Sequence, residues 1–188
     1  MSLRNRSAEA RETGWLMRYD AVRAGFSVAW VATALAVGPA ASPALVYVAA
    51  LAPDGNETLS EVRSRFAPAT NNVIKSADGF LTLDPATFHD DFAADLPAAD
   101  AAFMARSQVP VSEKALSAPV SQAAWRSKPS WYAVATEDHK INPDFGRFMA
   151  RRTGSTTVEV KGIHAVYVSQ PRAIAALIEQ AATGARKE

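Results

Sequence analysis

The sequence predicts an α/β fold in which a mostly parallel sheet is flanked by helices, within a single domain spanning residues 1–188. Largely apolar segments rich in β-branched or aromatic residues at 44–50, 130–136 and 156–160 predict strands. Segments with helical periodicity follow the second and third of these, and this alternation is typical of parallel strands joined by crossover helices. A chain of 188 residues is long enough to bury one hydrophobic core.

The composition is that of an ordinary globular protein and excludes several kinds of site. Lys and Arg number 20 and Asp and Glu number 19, which leaves a formal net charge of +1. With so small a net charge, the electrostatic field of the protein does not favour nucleic acid or an anionic membrane as a partner. The chain has no cysteine and only three histidines, His89, His139 and His164. We therefore exclude a disulfide scaffold and a thiolate metal site, and we expect no metal and no cofactor.

Residues 24–53 contain no charged side chain and invite a membrane or export interpretation. Glycine and proline interrupt the run at positions 38, 39 and 43, which leaves residues 25–37 as a piece too short to span a bilayer. A secretory signal with cleavage near Ala41 or Ala44 stays open as an alternative, because a basic segment precedes the run. We expect instead a cytoplasmic protein without membrane association, with a buried strand at 44–50.

Residues 55–120, roughly, predict a helical insertion between the first strand and the second. Phe88, Phe92, Leu96 and Phe103 keep the spacing of one helical face. The same stretch carries five aspartates without a lysine or arginine among them: Asp84, Asp90, Asp91, Asp95 and Asp100. A metal site is one interpretation of these aspartates. A solvated helical face is favoured, because they form no tight Asp-x-Asp-x-Asp-Gly loop.

The C-terminal third predicts two helices that alternate with strands. Asn142 and Pro143 supply a side-chain cap and a first-turn proline for a helix that ends near Gly154. Pro171 lies at the start of the last helix, whose apolar stripe consists of Ile174, Leu177, Ile178 and Ala181.

Two polar side chains follow neighbouring strands at the edge where an α/β sheet usually carries its site. Asp138 comes just after the strand at 130–136, and His164 comes just after the strand at 156–160. A carboxylate that accepts an imidazole N–H fixes the tautomer of the histidine and stabilises its protonated form. The alternative is a polar turn and one buried histidine with no catalytic role.

A nucleophile candidate lies upstream of both residues. Residues 25–29, GFSVA, differ from the strand-to-helix elbow G-x-S-x-G only at Ala29. The chain order Ser27, Asp138, His164 is the nucleophile, acid and histidine order of hydrolases that use this elbow. Ser27 could equally be the N-cap of a helix.

Three segments resemble the α/β-hydrolase superfamily, and in particular its branch of small esterases and hydroxynitrile lyases. They are ALVYVAALAPDGNE (44–57), WYAVATEDHKINPDFGRFMARRTG (131–154) and VEVKGIHAVYVSQPRAIAALI (158–178). The resemblance covers residues 44–182. It implies an α/β-hydrolase-type sheet whose pocket is covered by a cap, which here corresponds to residues 55–120.

The resemblance also implies roles for individual residues. The acid after the penultimate strand corresponds to Asp138, and the histidine after the last strand corresponds to His164. Ser27 takes the place of the nucleophile, and the backbone N–H of Val28 takes that of an oxyanion donor. The implied activity is that of a serine hydrolase that cleaves a small apolar carboxylic ester or amide through an acyl-enzyme. Five cap residues would favour an apolar substrate, although each of them is more readily interpreted as part of the core of the cap: Phe80, Phe88, Phe92, Phe103 and Met104.

The resemblance is poorer before Ser27, and we expect the N-terminal part of the family's fold to be missing. Residues 18–23 carry three charges where a buried strand is expected, and the chain has no His-Gly pair to supply a second oxyanion donor. A truncated or degenerate, catalytically inactive homologue is therefore the alternative function. A lyase that uses the same triad to cleave a cyanohydrin is a further alternative. It would require a lysine near the acid, and Lys140 lies two residues after Asp138. An open sheet edge would make a homodimer possible.

Overall fold

The computed structural model describes residues 44–66 and 70–184. The strands in this part of the chain are β1 (Leu45–Val48), β2 (Val73–Lys75), β3 (Phe80–Leu83), β4 (Val111–Ser112), β5 (Ser130–Ala135) and β6 (Thr156–Val160). The helices are α1 (Leu59–Ser64), α2 (Phe88–Phe92), α3 (Ala98–Arg106), α4 (Glu113–Ser117), α5 (Pro143–Arg152), α6 (Val166–Ser169) and α7 (Pro171–Gly184), with a 3-10 turn at Ala124–Arg126.

Strand β5 is the centre of a parallel three-stranded sheet ordered β1-β5-β6. Tyr132 of β5 lies opposite Tyr47 of β1 on one side and opposite Thr157 of β6 on the other. Every residue of β5 is buried, which explains why its sequence is a nearly unbroken apolar run rather than an alternating one. The parallel sheet confirms the fold class that the sequence predicts.

Helices cover both faces of this sheet, and successive side chains of β5 point into two different cores. The core on one face contains Trp131, Ala133, Ala135, Ile174, Leu177 and Ala181. The core on the other face contains Tyr132, Val134, Phe145, Met149 and Ala150. The first core is closed by α7 and the second by α5, so each crossover helix buries its apolar stripe against the sheet.

Helix α5 begins and ends where the sequence predicts. The side chain of Asn142 accepts a hydrogen bond from the backbone N–H of Asp144 at 2.9 Å, and Pro143 occupies the first turn. Thr153 is the C-cap, and Gly154 follows with a φ of 63°, the left-handed conformation that stops a helix. This termination places β6 beside β5 after a very short loop.

The insertion between β1 and β5 is less helical than expected. It contains an antiparallel sheet ordered β2-β3-β4, in which Val73 lies opposite Leu83. The sequence does not predict this sheet, because its strands are short and mostly exposed or half-buried. The buried core of the insertion includes Phe88, Phe92 and, from the end of the main sheet, Ala165. The insertion is therefore packed against the turn that carries His164.

The acidic stretch of the insertion is not a solvated face throughout. Asp91 is 5% exposed and accepts hydrogen bonds from Asn72 Nδ2 at 2.8 Å and Thr87 Oγ1 at 3.0 Å. The expectation of a solvated face is wrong for Asp91, because its carboxylate turns inward to these donors. Across residues 44–66 and 70–184, no group of His, Cys, Asp or Glu side chains could hold a metal ion.

Some of the sequence predictions fall outside the described residues. The elbow at residues 25–29, including Ser27 and Val28, lies there, as do residues 18–23 and most of the uncharged stretch. Within the described ranges, no helix combines the length and the apolar character needed to cross a membrane.

The core between α5 and the sheet yields a stability prediction. Met149 is fully buried, at 0% exposure, so Met149→Ala should lower the free energy of unfolding by about 2–5 kcal/mol through lost burial and a residual cavity. Ile178 is 50% exposed, and Ile178→Ala is the matched control with an expected loss below about 1 kcal/mol. Urea unfolding followed by circular dichroism measures both, and equal losses would contradict this account of the core.

Candidate active site

Asp138 and His164 are in direct contact at the carboxyl ends of β5 and β6. The Nδ1 atom of His164 lies 2.8 Å from Oδ2 of Asp138. Both residues are buried, Asp138 at 3% and His164 at 7% exposure. An ionised carboxylate only accepts hydrogen bonds, so Nδ1 carries the proton of this bond and Nε2 is the acceptor nitrogen of the neutral ring.

The turn after β5 fixes the carboxylate of Asp138. Its Oδ1 atom accepts the backbone N–H of Lys140 at 2.7 Å and that of Ile141 at 2.9 Å. Each carboxylate oxygen therefore has its own donor, because Oδ2 is used by His164. The backbone N–H of Glu137 also donates to the carbonyl of Gly162 at 3.0 Å. This bond continues the pairing of β5 and β6 past the ends of the strands and brings the two turns together.

The insertion holds the turn that carries His164 from the opposite side. On one side of the histidine, the backbone N–H of Ile163 donates to Oδ2 of Asp95 at 3.2 Å. On the other, the N–H of Ala165 donates to the carbonyl of Phe92 at 3.0 Å. The ring of Phe92 packs against the imidazole, with 4.7 Å between ring centroids. The position of His164 thus depends on the insertion as well as on β6.

The approach of Asp95 also accounts for a glycine in this turn. A Cβ atom at Gly162 would lie 3.0 Å from Oδ2 of Asp95 and 3.0 Å from a methyl group of Val166. Real Cβ atoms seldom come this close to neighbouring atoms, so the side chains of Asp95 and Val166 would have to shift by a few tenths of an ångström to admit a larger residue. The same carboxylate oxygen accepts the hydroxyl of Ser169 at 2.7 Å.

A cavity of about 360 Å³ opens beside His164. Its walls combine the start of the loop after β1, helices α1 and α2, the small sheet and the turn after β5. Most of the lining side chains are apolar, among them Val48, Leu51, Phe88 and Ile141. Cavities of this size and character are typical of sites for small organic ligands. The imidazole therefore faces a space that can hold a small apolar molecule.

Among the described residues of the cavity wall, the two charged side chains are both cations, Arg63 of α1 and Lys140 of the turn after β5. Burial lowers the pKa of each of them. The Nζ atom of Lys140 donates to the hydroxyl of Thr70 at 3.0 Å. The ammonium group of Lys140 is therefore bonded to Thr70, whereas the carboxylate of Asp138 accepts from the backbone N–H groups of Lys140 and Ile141 and from His164.

The five large apolar residues of the insertion that the sequence singles out lie in different environments. Phe88 and Phe92 line the cavity. Phe80 and Phe103 are among the exposed large hydrophobic residues, and Met104 packs beside the core of the insertion rather than on the cavity wall. These three residues therefore do not line the cavity, and the position of Met104 agrees with the alternative that it belongs to the core of the insertion.

Sequence reasoning missed the contributions of Asp95 and Arg63. Asp95 is one of several aspartates in its stretch, and its partners Ile163 and Ser169 are 68 and 74 residues away. Arg63 lies in a short amphipathic helix whose sequence resembles any surface helix. Neither position carries a local signal, since each role arises only when the insertion folds onto the main sheet.

Comparison with known proteins identifies the fold. A model of the alpha/beta hydrolase family matches residues 24–177. No curated protein sequence matches the chain significantly. A pyrethroid hydrolase from Sphingobium faniae JZ-2 is 20% identical with a TM-score of 0.63, and the match covers 86% of this chain and 68% of that one.

Two further solved structures are similar. Polyneuridine aldehyde esterase is 16% identical with a TM-score of 0.60, and the match covers 75% of this chain and 63% of that one. A methylesterase from Arabidopsis is 12% identical with a TM-score of 0.56, over 75% of this chain and 59% of that one. At these identities the likeness concerns the fold alone. The chain spans between 59% and 68% of the length of these three structures.

The contact between Asp95 and the histidine turn yields a prediction. Asp95→Ala should raise the hydrogen exchange rate of the Ile163 amide about fivefold, because a hydrogen bond of this kind contributes roughly 1 kcal/mol to local stability. Asp100→Ala is the control, because Asp100 is an exposed acid of the same insertion that lies outside this contact. Amide exchange followed by NMR measures both variants, and equal protection of Ile163 would contradict the support proposed for this turn.

Proposed function

The chain belongs to the alpha/beta hydrolase family, and from this premise we propose that it is a serine hydrolase that cleaves small carboxylic esters. Ser27, His164 and Asp138 form the proposed catalytic triad. The observation that carries the proposal is the buried hydrogen bond between His164 and Asp138, 2.8 Å long, beside a cavity of about 360 Å³. Ser27 lies outside the described residues, so its part rests on the sequence pattern and the family.

The proposed reaction proceeds through an acyl-enzyme. His164 Nε2 removes the proton from the hydroxyl of Ser27 as the oxygen attacks the substrate carbonyl, and the backbone N–H of Val28 stabilises the oxyanion. Collapse of the tetrahedral intermediate expels the alcohol, which receives the proton from His164. Water then attacks the acyl-enzyme with His164 again as the base, and His164 returns that proton to the oxygen of Ser27 as the acid is released. Asp138 holds Nδ1 and stabilises the imidazolium in both steps.

The apolar walls of the cavity support a substrate with an apolar body. Phe88, Phe92 and Leu51 face the space beside His164, and an apolar body would gain from leaving water there. The similar solved structures are named as a pyrethroid hydrolase, polyneuridine aldehyde esterase and a methylesterase. Their names agree with ester cleavage as the reaction class, which we extend to this chain as part of the proposal.

A fluorophosphonate probe tests the nucleophile. The wild-type protein should be labelled at Ser27, because the probe reacts with a serine hydroxyl that a histidine activates. Ser27→Ala should abolish labelling, whereas Ser117→Ala, at an exposed serine of α4, should not. Intact-protein and peptide mass spectrometry identify the labelled residue. A folded wild-type sample without any label would instead support the alternative of an inactive homologue.

A second test distinguishes Asp138 from the adjacent Glu137 as the acidic member of the proposed triad. Asp138→Asn should lower kcat about 10⁴-fold, because the amide can donate to Nδ1 and so favours the wrong tautomer of His164. Glu137→Gln is the matched control, since Glu137 is exposed and its ion-pair partner is Lys161 at 3.8 Å. Its expected kcat is within about twofold of wild type. Steady-state hydrolysis of p-nitrophenyl butyrate measures both, and a larger loss in Glu137→Gln would assign the acid to Glu137.

A further inference from the structure

The cavity beside His164 has an uneven distribution of charge. Among the described residues that line it, Arg63 and Lys140 are the charged side chains, and no aspartate or glutamate lies on the wall. The remaining lining side chains are apolar for the most part. Two cations on an otherwise apolar wall are costly unless a negative group approaches them.

The positive charge of Lys140 has a nearby counter-charge, the carboxylate of Asp91. Its Nζ atom donates to the hydroxyl of Thr70 at 3.0 Å, and the nearby carboxylate of Asp91 raises its pKa against the lowering effect of burial. Asp91 is held in place by hydrogen bonds from Asn72 and Thr87. The charge of Lys140 is therefore partly compensated inside the protein.

Arg63 has no such compensation. It is half-buried, and within the described part of the chain its guanidinium forms no hydrogen bond and no ion pair. The carboxylate of Glu57, in the loop before the same helix, pairs with two other arginines, Arg65 and Arg152, each at 2.9 Å. Arg63 thus lines the cavity with no partner for its guanidinium among the described residues.

We propose that the cavity binds esters that carry one additional carboxylate, which pairs with Arg63 while Lys140 adds a second positive charge. The planar guanidinium presents paired N–H donors that match the two oxygens of a carboxylate. The apolar walls then contact the hydrocarbon segment of the substrate between its carboxylate and its ester carbonyl. The ester carbonyl lies near His164. The ester part of this inference rests on the proposed function, whereas the binding of a carboxylate does not.

A pair of isosteric esters tests the selectivity. Monomethyl adipate and methyl hexanoate differ in that a carboxylate replaces a terminal methyl group, and acid release in a pH-stat measures the turnover of each by the full chain. The wild-type protein should show a kcat/KM for monomethyl adipate about 10- to 100-fold above that for methyl hexanoate, as expected for one charge-assisted ion pair. Equal or reversed preference would overturn the inference while leaving the proposed function intact.

The variants assign the preference to Arg63. Arg63→Met should lower the ratio of the two kcat/KM values to about one or below. Arg106→Met is the control, because Arg106 is an exposed arginine of α3 outside the cavity, and it should keep the wild-type ratio. Arg63→Gln repeats the test if Arg63→Met fails to fold. A ratio that is unchanged in both Arg63 variants would overturn the assignment.

A binding experiment separates this inference from the proposed function. 6-Oxoheptanoate carries a ketone in place of the ester and is not hydrolysed, so calorimetry reports its binding alone. Arg63→Met should weaken that binding about 10- to 100-fold. If neither ester is hydrolysed but this binding depends on Arg63, the proposed function fails and the carboxylate site stands. Binding that is equally strong in Arg63→Met would overturn the site.

Discussion

The hydrogen bond between His164 and Asp138 is the interaction on which the arrangement of this site depends, and the sheet is built to bring its two ends together. The two residues are 26 positions apart in the chain, so their contact depends on the pairing of the two strands. Parallel pairing of β5 with β6 aligns the carboxyl ends of both strands, and backbone hydrogen bonds continue past them to Glu137 and Gly162. Burial of β5 on both faces makes that alignment rigid.

The insertion does more than cover the cavity. Asp95 and the carbonyl of Phe92 accept the backbone N–H groups on either side of His164, and the ring of Phe92 packs on the imidazole. The histidine is therefore held between the main sheet and the insertion. A movement of the insertion would change the cavity and the orientation of the imidazole together, because the same segment contributes to both.

The sequence predicts the main sheet well and the insertion poorly, for physical reasons. Strand β5 and helices α5 and α7 have long apolar patterns and clear caps, such as Asn142 and Pro143, so local rules suffice. The small sheet consists of strands of two to four residues with exposed or half-buried side chains, and such strands carry almost no period-2 signal.

The candidate site shows the same division between local and distant information. Asp138 and His164 could be predicted because each follows a recognisable strand. The buried position of Asp91 depends on Asn72, which is 19 residues away, and the support from Asp95 depends on residues still farther along the chain. The lack of an ion-pair partner for Arg63 among the described residues depends on where all the surrounding acids lie in the folded protein, a property that no local pattern of the sequence encodes.

In the proposed reaction, Asp138 would compensate the positive charge that His164 acquires during proton transfer. Asp91 partly compensates the charge of Lys140, whereas no carboxylate of the described residues pairs with Arg63. A cation left in this state opposes the formation of imidazolium nearby. A substrate carboxylate that pairs with Arg63 would remove this opposition as it binds, so binding and proton transfer would favour the same charged substrate.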